Sequence, residues 1–136
     1  MTGLAVAVVD GFEVARIESD SLDDRALLQC GSISKAVAAL AALRLVEQGV
    51  LDLDADVNDT LMSWQLPAAQ PVTLRQLLSH TAGATVEFFP GYEPGDPLPS
   101  LVDVLEGRPP ANTDPVRIER EARGTHRYSG GGYVVV

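Results

Sequence analysis

Ser32 and Lys35 lie three positions apart in the stretch GSISKAVAAL, where a run of Ala and Leu begins. On a helix, residues at i and i+3 share a face. A serine hydroxyl is a weak nucleophile until a neighbouring base accepts its proton, and a lysine does this only when burial or other cations lower its pKa. Lys35 is the only lysine in the chain. The pattern therefore allows a serine nucleophile beside its lysine; the alternative is a capping serine followed by a solvent-exposed lysine.

A tyrosine followed by small residues forms a second candidate, Tyr128-Ser129-Gly130 in the stretch RYSGGGY. A tyrosine hydroxyl can relay protons when nearby cations lower its pKa. The glycines allow a close approach of the backbone and unusual dihedral angles. Taken alone, the same residues also describe a core tyrosine before a flexible turn.

Ser79 and His80, in the stretch LLSHTAG, are adjacent in sequence. Adjacent side chains on a helix point apart, so these two cannot serve each other as nucleophile and base. We expect His80, Thr81 and Gly83 to end a helix and to fix the loop that follows.

The elements that must position these residues can be read from periodicity and turn signals. Leu4–Val9 and the alternating residues from Val14 to Glu18 predict a hairpin with Asp10-Gly11 as its turn. A helix is predicted from Ser34 onwards, with Ser32 or Ser34 as N-cap and Gly49 as its stop. Apolar residues cover much of this helix surface, which predicts a buried helix.

Three further segments complete the prediction. A second, shorter helix begins after its cap Thr73, and a third lies between Ser100 and Gly107. The ending from Tyr133 to Val136 is either a strand or a buried helix, because periodicity cannot decide over so few residues.

Composition narrows the function classes. The formal net charge is −9, from 19 acidic and 10 basic residues, which argues against nucleic acid and against an anionic membrane surface as partners. No apolar run approaches the roughly 18 residues of a membrane span. No signal peptide is visible, which favours a cytoplasmic protein.

The metal-ligating residue types are few. Cys30, His80 and His126 show no ligand spacing, so no metal site is predicted. Cys30 is the single cysteine and lies in an apolar run, which predicts a buried structural thiol.

Taken together, these motifs resemble the serine β-lactamase-like family, which comprises class C β-lactamases, penicillin-binding DD-peptidases and related serine esterases. The resemblance rests on the order GSISKAVAALAALRLVEQGVLDLDADV, VTLRQLLSHTAG, FPGY and RYSGGGYVVV. It runs over essentially the whole chain and is most specific from Gly31 to Val57 and at LLSHTAG.

The resemblance implies an acyl-serine hydrolase that needs no cofactor. Ser32 would be the acylated nucleophile, Lys35 the proton acceptor or orienting cation, and Tyr128 the general base or relay. Ser129 and Gly130 would contact the substrate, an ester, β-lactam or peptide-like small molecule. Gly130 stands where many members carry an asparagine that touches the substrate amide, which favours an esterase or another peptidase-like member. A non-catalytic penicillin-binding or peptidoglycan-binding module is the alternative.

The family also implies a fold class, α/β (α+β), with an antiparallel sheet packed by helices and an adjoining helical region. The family's third motif, a Lys/His-Ser/Thr-Gly strand, lies well C-terminal to the tyrosine. Residues 1–136 are therefore expected to be the N-terminal segment of one such domain. The expected partner is a complementary C-terminal segment or chain, or a second copy of the chain in a homo-oligomer.

Overall fold

The computed structural model describes residues 4–20, 22 and 26–136. The chain divides into two compact units, Met1–Gly31 and Ser32–Val136. The first holds a two-stranded antiparallel sheet, and the second holds the helices that the structure describes. This combination confirms the predicted α/β (α+β) class.

The first unit is a β-hairpin. Strand β1 (Leu4–Asp10) pairs with β2 (Glu13–Asp20) in antiparallel register, with an irregularity between Val8 and Val9. The predicted turn at Asp10-Gly11 is wrong by one residue, because Asp10 pairs with Glu13 and the loop is Gly11-Phe12. Gly11 has φ 62°, a left-handed conformation that glycine adopts without the steric cost of a Cβ.

The second unit begins with helix α1 (Ile33–Glu47), whose N-cap residue is Ser32. The helix ends as predicted at Gly49, which has φ 71°. Gly49 N–H donates to Val46 O and Val50 N–H to Leu45 O, both at 2.9 Å, which is the Schellman pattern of a helix C-terminus.

The predicted burial of α1 is wrong in this structure. Ala42 is its one buried residue, whereas Val37 is 65% and Leu40 62% exposed. The apolar residues are spread around the helix rather than gathered on one face, so no single side of α1 carries the pattern of a helix packed against a core.

Two short helices follow, and both begin at the predicted caps. Helix α2 (Leu74–Leu78) is capped by Thr73, and α3 (Leu101–Glu106) by Ser100. In each, the cap side chain and the third helical residue bond each other's backbone N–H groups, which is a capping box. Helix α3 ends at Gly107, with φ 63°, as predicted.

The ending is helical, which decides between the two alternatives for this segment. Helix α4 (Gly130–Val135) begins with three buried glycines. A Cβ at Gly131 would lie 2.5 Å from the Thr85 carbonyl oxygen, so only glycine allows this close approach. The core that α4 joins consists of Trp64, Leu66, Val72, Leu77, Ala82, Leu105, Val116 and Val135.

The predicted burial of Cys30 is also wrong. The thiol is free and exposed. Cys30 belongs to an exposed run from residue 26 to 30 that has no regular secondary structure, so its apolar neighbours do not enclose it.

Candidate active site

Ser32 presents its hydroxyl to two partners from other positions in the chain. Although Ser32 occupies the N-cap position of α1, its side chain makes no capping hydrogen bond. Instead its Oγ lies 2.6 Å from the hydroxyl of Tyr128 and 3.2 Å from Nζ of Lys35. Serine is common at the N-cap because its hydroxyl accepts a hydrogen bond from a free N–H group of the helix. Ser32 does not have this role.

Lys35 lies one helical turn beyond Ser32, and its backbone N–H donates to Ser32 O at 3.1 Å. Its Nζ donates to Ser32 Oγ and lies 5.0 Å from the centroid of the Tyr128 ring and 5.7 Å from that of Tyr133. An ammonium this close to an aromatic ring is attracted by the electrons of the ring face. Two aromatic rings and the Ser32 hydroxyl therefore keep the Lys35 ammonium beside Ser32.

Tyr128 comes from the extended segment that leads into α4. The neighbouring Lys35 side chain is the main cause that lowers the pKa of the Tyr128 phenol, and the Ser32 hydroxyl is the second. Both side chains favour the phenolate as hydrogen-bond donors, and the positive charge of Lys35 adds a smaller effect in the same direction. A tyrosine with a lowered pKa can accept a proton from the hydroxyl that it contacts.

Ser129, predicted to contact substrate, is buried with 2% exposure. Its hydroxyl donates to Thr85 O at 2.7 Å and accepts from Gly132 N–H at 2.9 Å, which caps α4. The structure thus gives this side chain a capping and anchoring role. Its contact with a substrate stays a prediction.

Gly130, the other predicted substrate contact, is buried at the first position of α4. Its N–H donates to Glu87 O at 2.8 Å. A Cβ at this position would lie 2.9 Å from the same carbonyl oxygen, which explains why no larger side chain stands here. The predicted substrate contact at Gly130 likewise stays a prediction.

His80 is the residue whose importance the sequence did not reveal. It follows α2, and the turn is a Schellman motif: His80 N–H donates to Leu77 O at 3.1 Å, and Thr81 N–H to Gln76 O at 2.8 Å. The predicted role in ending a helix is confirmed. Its φ is 59°, a left-handed value that costs a residue with a Cβ about 1–2 kcal/mol.

The His80 side chain reaches the segment that carries Tyr128. Its Nδ1 accepts a hydrogen bond from Ser129 N–H at 3.1 Å, and its ring centroid lies 4.6 Å from that of Tyr128. Desolvation is the main cause that lowers the pKa of His80, followed by the charges of His126 and Lys35. The one signal in the sequence is that His80 lies in LLSHTAG, where the family resemblance is among its most specific.

A second residue with a Cβ and a positive φ supports the same segment. Val86 has φ 62°, and for a β-branched residue this is an outlier. Its carbonyl accepts from Gly131 N–H at 2.8 Å and lies 3.2 Å from Ser129 Oγ. Such strained positions cluster at functional sites, where the surrounding contacts impose them.

A wide depression on the described surface does not contain this cluster. It has a volume of about 950 Å³ and is lined by residues that include Thr85, Phe88, Asn112 and Arg117. None of Ser32, Lys35 and Tyr128 lines it. We locate the candidate site by its short hydrogen bonds rather than by volume, because an open depression alone implies no chemistry.

The described residues were searched for a metal-binding group and for a membrane-spanning helix. Across residues 4–20, 22 and 26–136, no group of three or more His, Cys, Asp or Glu side chains is arranged to hold a metal ion. Within the same ranges, no helix has both the length and the apolar character needed to cross a membrane.

Comparison with known proteins identifies the family. The sequence model of the Beta-lactamase family matches residues 1–136. The chain therefore belongs to the β-lactamase family, a family of serine hydrolases.

Two curated relatives are similar over part of the chain. A lovastatin esterase of Penicillium rubens is 31% identical over 87 residues, which cover 52% of this chain and 21% of the esterase. Penicillin-binding protein 4 of Amycolatopsis lactamdurans is 37% identical over 65 residues, which cover 46% of this chain and 17% of that protein. The matched region thus spans about a fifth of the length of these relatives. No solved structure matches significantly.

Proposed function

We propose that this protein is an acyl-serine hydrolase that attacks an ester or amide carbonyl through Ser32. The observation that supports it best is the contact of Ser32 Oγ with both the Tyr128 hydroxyl, at 2.6 Å, and Lys35 Nζ, at 3.2 Å. A serine nucleophile needs a base within hydrogen-bond distance and a group that orients it, and these two side chains meet both needs.

The roles of the two partners follow from their hydrogen-bonding chemistry. A lysine ammonium carries three donors and no acceptor, so while protonated it can donate to Ser32 Oγ but cannot take the serine proton. Tyr128, whose pKa is lowered chiefly by Lys35, can take it as the phenolate. We therefore assign Tyr128 as the base and Lys35 as the orienting cation that stabilises the phenolate.

The proposed reaction proceeds in two steps. Ser32 Oγ bonds to the carbonyl carbon while its proton passes to Tyr128, and the bond from that carbon to the alcohol or amine breaks as Tyr128 returns the proton to the leaving group. A water oxygen then bonds to the acyl carbon while its proton passes to Tyr128, and the bond from that carbon to Ser32 Oγ breaks as Oγ takes the proton, which releases the carboxylic acid. The N-terminus of α1 favours the developing oxyanion, because its first N–H groups lack intrahelical partners.

An ester is the substrate class that the chain favours. Gly130 offers no side chain to touch a substrate amide, and a Cβ there would lie 2.9 Å from Glu87 O. Among the relatives, one is named as an esterase and one as a penicillin-binding protein. We expect p-nitrophenyl esters to be hydrolysed more readily than a chromogenic cephalosporin.

Release of p-nitrophenol separates the enzyme from the alternative, a non-catalytic penicillin-binding or peptidoglycan-binding module. Continued turnover of a short-chain p-nitrophenyl ester supports the hydrolase. A burst of one equivalent without further release supports the binding module, because acylation then occurs without deacylation. If neither ester nor cephalosporin gives any product, the proposed function is wrong.

A structural role through a complementary polypeptide segment is the second candidate, and the exposed apolar residues of α1 favour it. Ile33, Val37 and Leu40 are each more than 60% exposed, and apolar surface of this kind is often covered by a partner. Size-exclusion chromatography of the chain tests this: self-association or poor folding supports it, and a well-folded monomer contradicts it.

A further inference from the structure

His80 lies where it can control the placement of Tyr128. The Ser129 N–H, directly after Tyr128 in sequence, donates to His80 Nδ1 at 3.1 Å. The His80 ring lies against the Tyr128 ring at 4.6 Å between centroids and an angle of 35°. One imidazole thus contacts both the backbone beside the tyrosine and the tyrosine ring.

The imidazole is itself fixed from several directions. Its ring centroid lies 5.1 Å from that of Tyr133 on α4 and 5.7 Å from that of His126. The backbone carbonyl of His80 accepts from Arg127 N–H at 2.8 Å. The turn after α2 is therefore attached to the segment that carries Tyr128 by backbone and side chain alike.

Glycine would adopt the backbone conformation at position 80 at a lower cost in free energy than histidine does. The residue adopts φ 59° at the end of a Schellman turn, the position where glycine is most common. An imidazole kept at an unfavourable dihedral angle indicates that its side-chain contacts are needed, because stability alone favours glycine there.

We propose that His80 is a positioning residue for Tyr128, and that its neutral imidazole holds the Tyr128 hydroxyl on Ser32. This inference rests on the proposed function of Tyr128 as the base. The neutral form is required because only an unprotonated Nδ1 can accept the Ser129 N–H. Protonation removes that hydrogen bond, so that the Arg127 N–H to His80 carbonyl bond remains but the imidazole no longer fixes the position of Tyr128.

The groups that face His80 affect how readily its imidazole is protonated. His126 and Lys35 oppose protonation, and desolvation acts in the same direction and more strongly, so its pKa lies below the ordinary value. Of the two ring neighbours, Tyr133 and Tyr128, Tyr128 would favour protonation of His80 when it is a phenolate, which works against these causes. His80 is therefore neutral at neutral pH. Its protonation should lower the rate of reaction at Ser32 only at acid pH.

Three variants of the intact chain test the proposal, with the rate of phosphonylation of Ser32 by a fluorophosphonate probe followed against pH. His80→Asn keeps an acceptor near the Nδ1 position, tolerates the left-handed φ and cannot be protonated. His80→Gly removes the acceptor but relieves the backbone. His126→Asn is the matched control, because His126 is the only other histidine and is exposed.

We expect His80→Gly to react with the probe about tenfold or more slowly, since small misplacements of a reacting group are costly, while its thermal midpoint does not fall. His80→Asn should react with the probe at pH 8 within a few-fold of the wild-type rate. It should lack the fall in rate that protonation of His80 causes at acid pH. His126→Asn should keep this fall in rate but show it at higher pH. The reason is that a charge that lowers the His80 pKa has been removed. A wild-type rate and pH profile in both His80 variants would overturn the proposal.

Nuclear magnetic resonance distinguishes a failure of this proposal from a failure of the proposed function. If the wild type does not react with the probe, Ser32 and Tyr128 lack the proposed roles. The effect of His80 protonation on Tyr128 is then measured from the resonances of ¹³C-labelled tyrosine. Tyr128 ring resonances that follow the titration of His80, and stop doing so in His80→Asn, support the positioning contact. Tyr128 resonances that ignore this titration contradict it.

Discussion

The hydroxyl of Tyr128 lies 2.6 Å from Ser32 Oγ, although the two residues are 96 positions apart in sequence. Ser32 stands at the first turn of the longest helix, and Tyr128 directly precedes the segment that forms α4. This contact joins two separate sequence motifs into one hydrogen-bonded cluster.

The lowered pKa of Tyr128 should depend on Lys35, which is the main cause of the shift. Lys35→Gln is expected to raise the Tyr128 pKa towards its ordinary value of about 10, because the phenolate loses its cationic neighbour. At pH 8 less phenolate is then present, and acylation slows. The measurement is a ¹³C NMR titration of labelled tyrosine, with Tyr128 assigned through Tyr128→Phe.

Arg44→Gln is the matched control for this titration. Arg44 lies on the same helix and pairs with Glu47 at 2.7 Å, so its removal also deletes one cation from α1. The Tyr128 pKa should be unchanged in this variant. Equal Tyr128 pKa values in the wild type and Lys35→Gln would show that Lys35 does not act on the phenol.

Ser129 should matter more for stability than an ordinary cap. Ser129→Ala removes the cap of α4 and leaves the half-buried Thr85 carbonyl and the buried Gly132 N–H without their partner. We expect a loss of about 2–4 kcal/mol, from about 1 for a cap and about 1–3 for buried polar groups left unpaired. Urea unfolding measures the change in the free energy of unfolding.

Ser100→Ala provides the comparison, since Ser100 caps α3 at an exposed position. Water can replace its hydrogen bonds, and a loss of about 1 kcal/mol is expected. Equal losses in the two variants would contradict the anchoring role of Ser129.

The exposed apolar residues of α1 predict a contrast with the core. Leu40→Ser, at 62% exposure, should change the free energy of unfolding by about 0.5 kcal/mol or less. Leu77→Ala, at 1% exposure, should cost about 2–5 kcal/mol. Thermal or urea unfolding of the chain decides this. If Leu40→Ser destabilises as much as Leu77→Ala, then α1 is covered in solution.

Local signals in the sequence were sufficient for much of the fold. Thr73, Ser100 and Gly107 were identified as helix boundaries because caps and stops depend on neighbouring residues alone. The hairpin turn was placed one residue early, because a Gly-Phe loop is a weaker signal than Asp-Gly. The burial of α1 was overestimated, since composition says how apolar a helix is but not what covers it.

The candidate site could be assembled from sequence only in part. Ser32, Lys35 and Tyr128 were named from their residue types and the family resemblance, whereas their mutual contact required the fold. The side-chain contacts of His80 escaped prediction, because they depend on an unfavourable φ and on a segment more than 40 residues away. Long-range contacts of this kind leave no periodic signal in the sequence.

The central claim is that Ser32 is an acylated nucleophile, and mass spectrometry of the adduct tests it most directly. The intact chain is incubated with a fluorophosphonate probe, digested and mapped, together with Ser32→Ala and the control Ser34→Ala, two positions further along the same turn. We predict one adduct per chain, on Ser32, lost in Ser32→Ala and kept in Ser34→Ala. Labelling that persists at the wild-type rate in Ser32→Ala, or an adduct mapped to another residue, would contradict the account.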